Sequence, residues 1–398
     1  MMSPTSKREL LKAIRPRYTL GRRPAKEQIL DEFVAATGYH RKYAIHLLNH
    51  PPPRRVAKRR PRRSKYGGRV QAALEKVWRV ANCICGKRLV AVLPQYVEAL
   101  ERHGELALDP ETRGLLLQIS AATADRLLAR ARAATKPHGL GTTKPGTLLK
   151  AAIPVRTFAE WDDAQPGFME VDLVAHCGPS TAGEYLHSLD MVDVKTRWVE
   201  LAALRNRSQA TVLTALIDCQ IRLPYPLRGL DSDNGSEFIN YDLKRFCEQE
   251  QITFTRCRPY QKNDQAYVEQ KNWTAVRQLV GYERYEGDRA CTALQALYHV
   301  VRLYLNFFQP VMVLVDKQRL GAQVKKRYDV PKTPYQRVLE APEIDAAIKM
   351  RLRQLYDTLN PAELLRQIQR RQAALWQLAC APAVPAVPGG TQVPPTPP

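Results

Sequence analysis

The stretch that begins Asp231-Ser-Asp-Asn-Gly-Ser-Glu-Phe238 and continues INYDLKRFCEQEQITFTRCRPYQKNDQAYVEQKN to Asn272 decides the fold. Asp233 opens a tight Asp-Asn-Gly turn at the end of an apolar run. Asn240 is placed to cap a helix whose first turn includes Asp242, and Ile252 to Cys257 reads as a strand. The stretch closes on Glu269, one to two turns into a helix that Asn263 or Asp264 can cap. Upstream, Asp172 stands in the middle of the apolar run Gly167 to Ala175. Sixty residues separate Asp172 from Asp233 and 35 separate Asp233 from Glu269. Three acids on three separate elements suggest a metal site.

Working outward, Gly167 to Cys177 is apolar nearly throughout, as a strand buried on both faces would be. Tyr185 to Val194 and Arg197 to Leu204 read as two more strands joined by a hairpin connection at 193–197. Gln209 to Ile221 has helical periodicity through Val212, Leu213, Leu216 and Ile217. Pro226 to Leu230 makes a fourth strand leading to Asp231. Three strands, a helix, a strand, a helix and a strand form the order of an α/β, ribonuclease H-like core, a mixed five-stranded sheet flanked by helices.

Each acid taken alone has a duller explanation. A buried carboxylate on a central strand needs a cation, and for Asp172 that partner can be an Arg or Lys as well as a metal. An Asp-Asn-Gly turn is ordinary turn chemistry, and a helical glutamate is usually solvated. Together, the acids resemble the triad of the retroviral integrase and DDE transposase superfamily, in identity, order, spacing and local element. The likeness covers residues 165–310, and the Asp233-Asn-Gly turn and the 35-residue gap are those of its integrase-like branch, which includes many bacterial insertion-sequence transposases. Asp233 rather than Asp231 is the middle member because it directly precedes Asn234-Gly235.

The resemblance implies hydrolysis of DNA at element ends, followed by attack of the freed 3′-hydroxyl on target DNA. Two Mg2+ ions would be held by Asp172, Asp233 and Glu269, with Mn2+ able to substitute. One ion would activate the attacking oxygen and the other stabilise the leaving one. All-carboxylate ligation suits magnesium. A catalytically silent or domesticated DNA-binding regulator of the same fold is the alternative, and it predicts a degraded triad. A structure-selective nuclease of this fold would lack the N-terminal reading domains. Integrases often carry a lysine one turn beyond the glutamate; position 273 is Trp, which leaves Lys262, Lys271 and Arg277 as nearby substitutes for DNA contact, each of which can equally be an exposed charge.

Bulk properties agree with a polyanionic partner. The 398 residues exceed one core and carry 61 Lys plus Arg against 39 Asp plus Glu, a formal net charge of +22; double-stranded DNA is the first candidate and an anionic membrane surface the second. No run approaches the roughly 20 apolar residues of a membrane span, and the N-terminus lacks a secretory signal's apolar core. Eight scattered cysteines suit a reducing compartment. The expectation is a cytoplasmic, nucleoid-associated protein acting as a homo-oligomer on paired ends.

Outside the core, residues 1–50 read as a helix-turn-helix domain, a pattern shared with small three-helix domains that bind protein. Pro16 ends the first helix, Ala25 to Thr37 forms the second with Gly38 as its stop, and His40, Arg41 and Lys42 open the third. Residues 51–67 are a basic Pro/Arg-rich linker, either a solvated tether or a DNA-tracking arm through Arg59, Arg60, Arg62 and Arg63. Residues 68–134 read as a second helical, helix-turn-helix-like domain interrupted at Pro94, with Ser120 capping a helix that presents Arg126 and Arg130. Residues 135–164 are a linker. Residues 311–380 form a basic and helical C-terminal extension, whose basic segment contacts DNA or serves as a spacer, and 381–398 a disordered Pro-rich tail. A zinc site from His46, His50, Cys83 and Cys85 is disfavoured, because one residue between cysteines is shorter than the usual gap of about two to four.

Overall fold

The computed structural model describes residues 2–50, 65–135, 165–232, 235, 237–238, 240–256, 266–320 and 323–380. The chain divides into two units, Met1–Lys65 and Tyr66–Pro398. The first holds helices α1 (Pro4–Leu20), α2 (Arg23–Thr37) and α3 (Arg41–Asn49). Leu11, Tyr18, Ile29, Leu30, Phe33, Ala44 and Leu48 form its core. Gly38 closes α2 with φ 68°, the left-handed conformation that glycine adopts without strain. Pro16 does not end α1, as the sequence suggested, but lies inside it. Proline removes one hydrogen bond, and burial of Leu11 and Tyr18 on either side of it carries the helix through.

The second unit begins with α4 (Gly68–Val80), α5 (Gly86–Arg102), α6 (Pro110–Leu117), α7 (Ala121–Leu127) and α8 (Ala129–Thr135). Pro94 again sits within a helix rather than between two. Leu89, Val92, Leu93, Tyr96, Val97 and Leu100 keep one apolar face through α5, and all are buried. Burying several such side chains at about 1.5–3 kcal/mol each outweighs a proline cost of about 3 kcal/mol. Ser120 caps α7 by accepting from the Thr123 N–H.

Five strands follow: β1 (Phe168–Ala175), β2 (His187–Asp193), β3 (Val199–Leu204), β4 (Gly229–Ser232) and β5 (Thr253–Arg256). Their order is β3-β2-β1-β4-β5. β1 pairs antiparallel with β2, and β2 with β3; β1 pairs parallel with β4, and β4 with β5. This mixed sheet has the ribonuclease H-like strand order that the sequence implied. Asp193 builds the turn at 193–197, its carboxylate accepting from the N–H groups of Lys195 and Thr196, and it also accepts from Gly167 N–H at 2.7 Å. One buried side chain therefore fixes both the β2–β3 hairpin and the start of β1.

Helices α9 (Gln209–Arg222) and α10 (Tyr241–Gln249), the latter capped by Asn240 as expected, interleave with the strands. After β5 come α11 (Ala266–Lys271), a π-helical turn (Asn272–Arg277), α12 (Gln278–Val280) and the long α13 (Gly287–Phe308). β3 is an edge strand, and side chains finish its unpaired backbone. Asn306 accepts from Val199 N–H and donates to Val199 C=O, both at 2.8 Å; Gln295 accepts from Ala203 N–H; Arg222 donates to Leu201 C=O. Glu200, fully buried, takes Arg302 in a two-pronged pair at 2.6 Å and Arg222 at 3.3 Å. α9 and α13 are thereby clamped to the sheet edge.

α13 also joins the preceding helices to the sheet. Tyr304 donates to Val80 C=O at 2.7 Å, Gln95 to Phe307 C=O at 2.8 Å, and one hydrophobic cluster runs from Val70 to Leu375. Residues 68–134 thus share their core with the sheet. Strands β6 (Leu314–Leu320) and β7 (Gln323–Tyr328) form a separate antiparallel ribbon where a basic segment was expected, and α14 (Pro334–Glu340), α15 (Ala346–Thr358) and α16 (Pro361–Trp376) complete the C-terminal part. The basic run at 51–64, the linker at 136–164 and the tail at 381–398 lie outside the described residues.

Candidate active site

Alternation along β1 puts Glu170 and Asp172 on one face of the sheet. The register adds two acids to that face: Asp172 pairs with Asp190 of β2, and Glu170 with Asp231 of β4. Glu170, Asp190 and Asp231 are buried, while Asp172 is half-buried. Asp231 accepts from the Thr255 hydroxyl at 2.7 Å, as a packed strand residue would. Burial pushes the Asp190 carboxyl well above the usual range; the charge of Lys271 pulls it down, and those of Asp172 and Glu170 push it further up. Neither Asp190 oxygen has a hydrogen-bond partner among the described residues.

The helix that carries Glu269 is tied to β1 twice. Glu170 accepts from the Val268 N–H at 2.9 Å, satisfying a donor in the first turn of α11. Asn272, three residues beyond Glu269, donates its Nδ2–H to Asp172 Oδ2 at 2.6 Å. Asp172 Oδ1 accepts from the Leu173 N–H at 2.8 Å. The Asn272 amide orientation follows from chemistry, since only its NH2 can face a carboxylate. Its Oδ1 is buried without a partner among the described residues. The backbone then passes into the π-helical turn, a local irregularity that often accompanies functional sites.

β4 ends at Ser232, whose partner in β1 is Val171, the residue before Asp172. Asp233 is the next residue in the chain and lies outside the described residues. Glu269 is in α11. Past the turn, Phe238 is fully buried and donates its N–H to Gly235 C=O, fixing the far end of the loop to the core. Among the described residues no three His, Cys, Asp or Glu side chains converge to hold an ion. The donor chemistry nonetheless fits a hard divalent cation: a half-buried carboxylate on the central strand beside a buried acid, Asp190, that burial and the charges of Asp172 and Glu170 push toward holding its proton.

The expected DNA contacts divide by position. His40, Arg41 and Lys42 are exposed at the start of α3, with Arg41 paired to Asp31, and Arg126 and Arg130 are exposed on α7 and α8. Arg59, Arg60, Arg62, Arg63 and Lys262 lie outside the described residues. Lys271 and Arg277 are engaged within the protein. Lys271 is buried, and burial lowers its ammonium to about 8 against the opposing pull of Asp190. Arg277 donates to Ala175 C=O at 2.9 Å and stacks on Tyr282, so it braces the end of β1. Helical spacing alone could not tell the inner face of this helix from the outer one. Trp273, by contrast, is 51% exposed. Glu170, Asp190 and Asn272 were not singled out in the sequence; the signals available were the two-residue strand period for Glu170 and the three-residue helical step from Glu269 for Asn272.

The integrase core domain family matches residues 162–262. The uncharacterized protein y4rM of Sinorhizobium fredii (strain NBRC 101917 / NGR234) is 43% identical over 336 residues, covering 84% of this chain and 96% of that protein. Among solved structures, the catalytic core domain of BIV integrase is 21% identical, with 44% of this chain and 94% of that one covered and a TM-score of 0.30. The HTLV-2 integrase catalytic core domain in complex with magnesium, in its dimeric form, is 18% identical, with 37% and 92% covered and a TM-score of 0.28.

Proposed function

The chain belongs to the integrase-core family within the DDE transposase and integrase superfamily, and from that premise we propose that it is a DNA transposase that cleaves element ends and joins their 3′-hydroxyls to target DNA. Asp172, Asp233 and Glu269 are the residues that would hold two Mg2+ ions. When bound, such ions supply the positive charge that activates the attacking oxygen and steadies the leaving one in line. The chain's own residues do the positioning. Asn272 orients the Asp172 carboxylate, Glu170 fixes the first turn of the Glu269 helix, and Asp190 and Lys271 are a buried, oppositely charged pair beside them.

One observation carries the reading: the elements bearing the other two acids both converge on Asp172. β4 runs parallel to β1 and ends one residue before Asp233, beside Val171, while the helix of Glu269 is bonded through Asn272 to Asp172 itself. No covalent protein–DNA intermediate is needed, so no serine or tyrosine nucleophile is required. The first unit, through α3, and the arginines of α7 and α8 bring DNA to this site, as a homo-oligomer on paired ends in the cytoplasm. Among the described residues no helix is long and apolar enough to cross a membrane.

The test incubates purified protein with element-end DNA, Mg2+ and a target plasmid. End cleavage and strand transfer occur with the wild-type chain and vanish in Asp233→Asn and Glu269→Gln. Equal activity in both variants would show that the site is wrongly assigned.

A further inference from the structure

The β6–β7 ribbon is built unlike the rest of the second unit. Among the described residues its strands pair only with each other, and its described side chains are almost all exposed, including Leu314, Val315, Val324 and Tyr328. A two-stranded hairpin in water is marginal by itself. This one is held at its base. Arg337 bonds both Asp329, at 2.7 Å, and Val311 C=O; Asp329 accepts from the Val313 N–H; and a backbone bridge joins Val311 to Lys332. The ribbon therefore projects from a fixed root by roughly 20 Å, the rise of about six residues.

Its charge is mostly positive, with Asp316 the acid among five Lys and Arg, and it lies on both faces. Register pairs Lys317 with Lys326, Gln318 with Lys325 and Asp316 with Arg327. Lys317, Arg319 and Lys326 thus share one face, and Lys325 and Arg327 the other, all five exposed. Like charges directly opposite, as at Lys317 and Lys326, are unfavourable unless an anion lies over them. Among the described residues no salt bridge engages Lys317, Lys325, Lys326 or Arg327. The ribbon and the first turn of α5 border an open cleft of about 540 Å³ lined by Lys87, by Asp316, Gln318, Lys325 and Arg327 of the second face, and also by Lys326 and Tyr328.

We infer that this ribbon is a DNA-binding element that lies in a groove of duplex DNA, with phosphates taken on one side by Lys317, Arg319 and Lys326, and on the other by the cleft with Lys87, Lys325 and Arg327. A B-DNA major groove admits a two-stranded ribbon, and cations on both faces match the two phosphate rows that border it. The tyrosine and valines supply apolar contact to the groove walls. Charge favours this occupant over a second copy of the chain, whose net charge is +22. The inference deepens the transposase reading and rests on it.

The experiment measures fluorescence anisotropy of a random-sequence duplex in EDTA, between about 50 and 200 mM salt. It compares the wild-type chain, a variant with Lys317, Arg319, Lys325 and Lys326 all changed to Gln, and one with the three lysines changed to Arg. Each lost phosphate contact should remove roughly 0.9 from the slope of log affinity against log salt. The Gln variant, with four contacts removed, is expected to lose roughly 3.6 units of slope and at least about tenfold in affinity at 100 mM salt, and the Arg variant neither. Slope and affinity unchanged in the Gln variant overturn the inference. A Gln variant that instead shifts the sedimenting species, with the slope intact, also overturns it and makes the ribbon a protein–protein edge. If the ribbon fails in either way while Asp172→Asn still abolishes Mg2+-dependent cleavage, only the ribbon assignment falls. If the wild-type chain shows no salt-dependent binding, both readings fall.

Discussion

Replacing Asn272 probes the link between the Glu269 helix and the Asp172 strand. The amide donates to a carboxylate at 2.6 Å, in a half-buried setting. Hydrogen bonds to charged groups are worth about 1.5–3 kcal/mol, and every 1.4 kcal/mol is about tenfold in an equilibrium. Asn272→Ala should therefore cost roughly 10–100-fold in single-turnover cleavage, the range typical when a group orienting a metal ligand is removed. Asn272→Asp is close in shape but turns a donor into an acceptor against Asp172, and should be worse than Ala. Because the residue acts by positioning a ligand, the Mg2+ concentration for half-maximal cleavage should rise in both variants, which simple loss of packing would not produce. The assay is single-turnover cleavage of end DNA across a Mg2+ series. Cleavage within twofold of the wild type at every Mg2+ concentration, in both variants, would refute the reasoning.

Other consequences follow from the same geometry. Glu200→Gln leaves Arg222 and Arg302 without their shared charge in a buried setting, and should cost about 3–5 kcal/mol in chemical unfolding. At Gly229 an added Cβ would stand 2.2 Å from the Phe168 ring, so Gly229→Ala should cost about 1–3 kcal/mol, partly regained in the double variant with Phe168→Leu. His176 is buried against Ser188, and burial lowers its imidazole to about 3. The unfolded chain takes up that proton below about pH 6.5 and the folded chain does not, so this stability is full above 6.5 and falls as pH drops toward 3. The loss should reach about 2 kcal/mol at pH 5 and be absent from a His176→Gln variant. Deleting residues 1–65 removes one unit whole; the remaining chain should keep Mg2+-dependent cleavage of non-specific DNA and lose end-specific binding.

The five strands were legible because their apolar runs are short and bounded by turn chemistry, and Asn240 and Ser120 announced their helices by local capping. Asp172 and the helix of Glu269 were legible for the same reason, since each sits on an element with a plain local signature. What the sequence hid depends on contacts between distant segments. Pro16 and Pro94 read as breaks, yet tertiary burial carries both helices through. The amides of Asn306 and Gln295 look like solvated polar residues on α13, and only the sheet edge beside them reveals their task. Lys271 looked like a DNA contact because a helix has no inside until something packs on it. The ribbon at 314–328 was hidden by its own charge, since Lys and Arg mask the strand alternation.

The central claim is that Asp172, Asp233 and Glu269 hold the ions that drive DNA cleavage. Its most direct measurement is the anomalous diffraction of crystals of the protein–DNA complex grown with Mn2+. Peaks within bonding distance of the Asp172 carboxylate and shared with Asp233 and Glu269 are predicted. Well-ordered side chains at all three positions with no peak between them, or peaks bound elsewhere in a complex that still cleaves DNA, would contradict it.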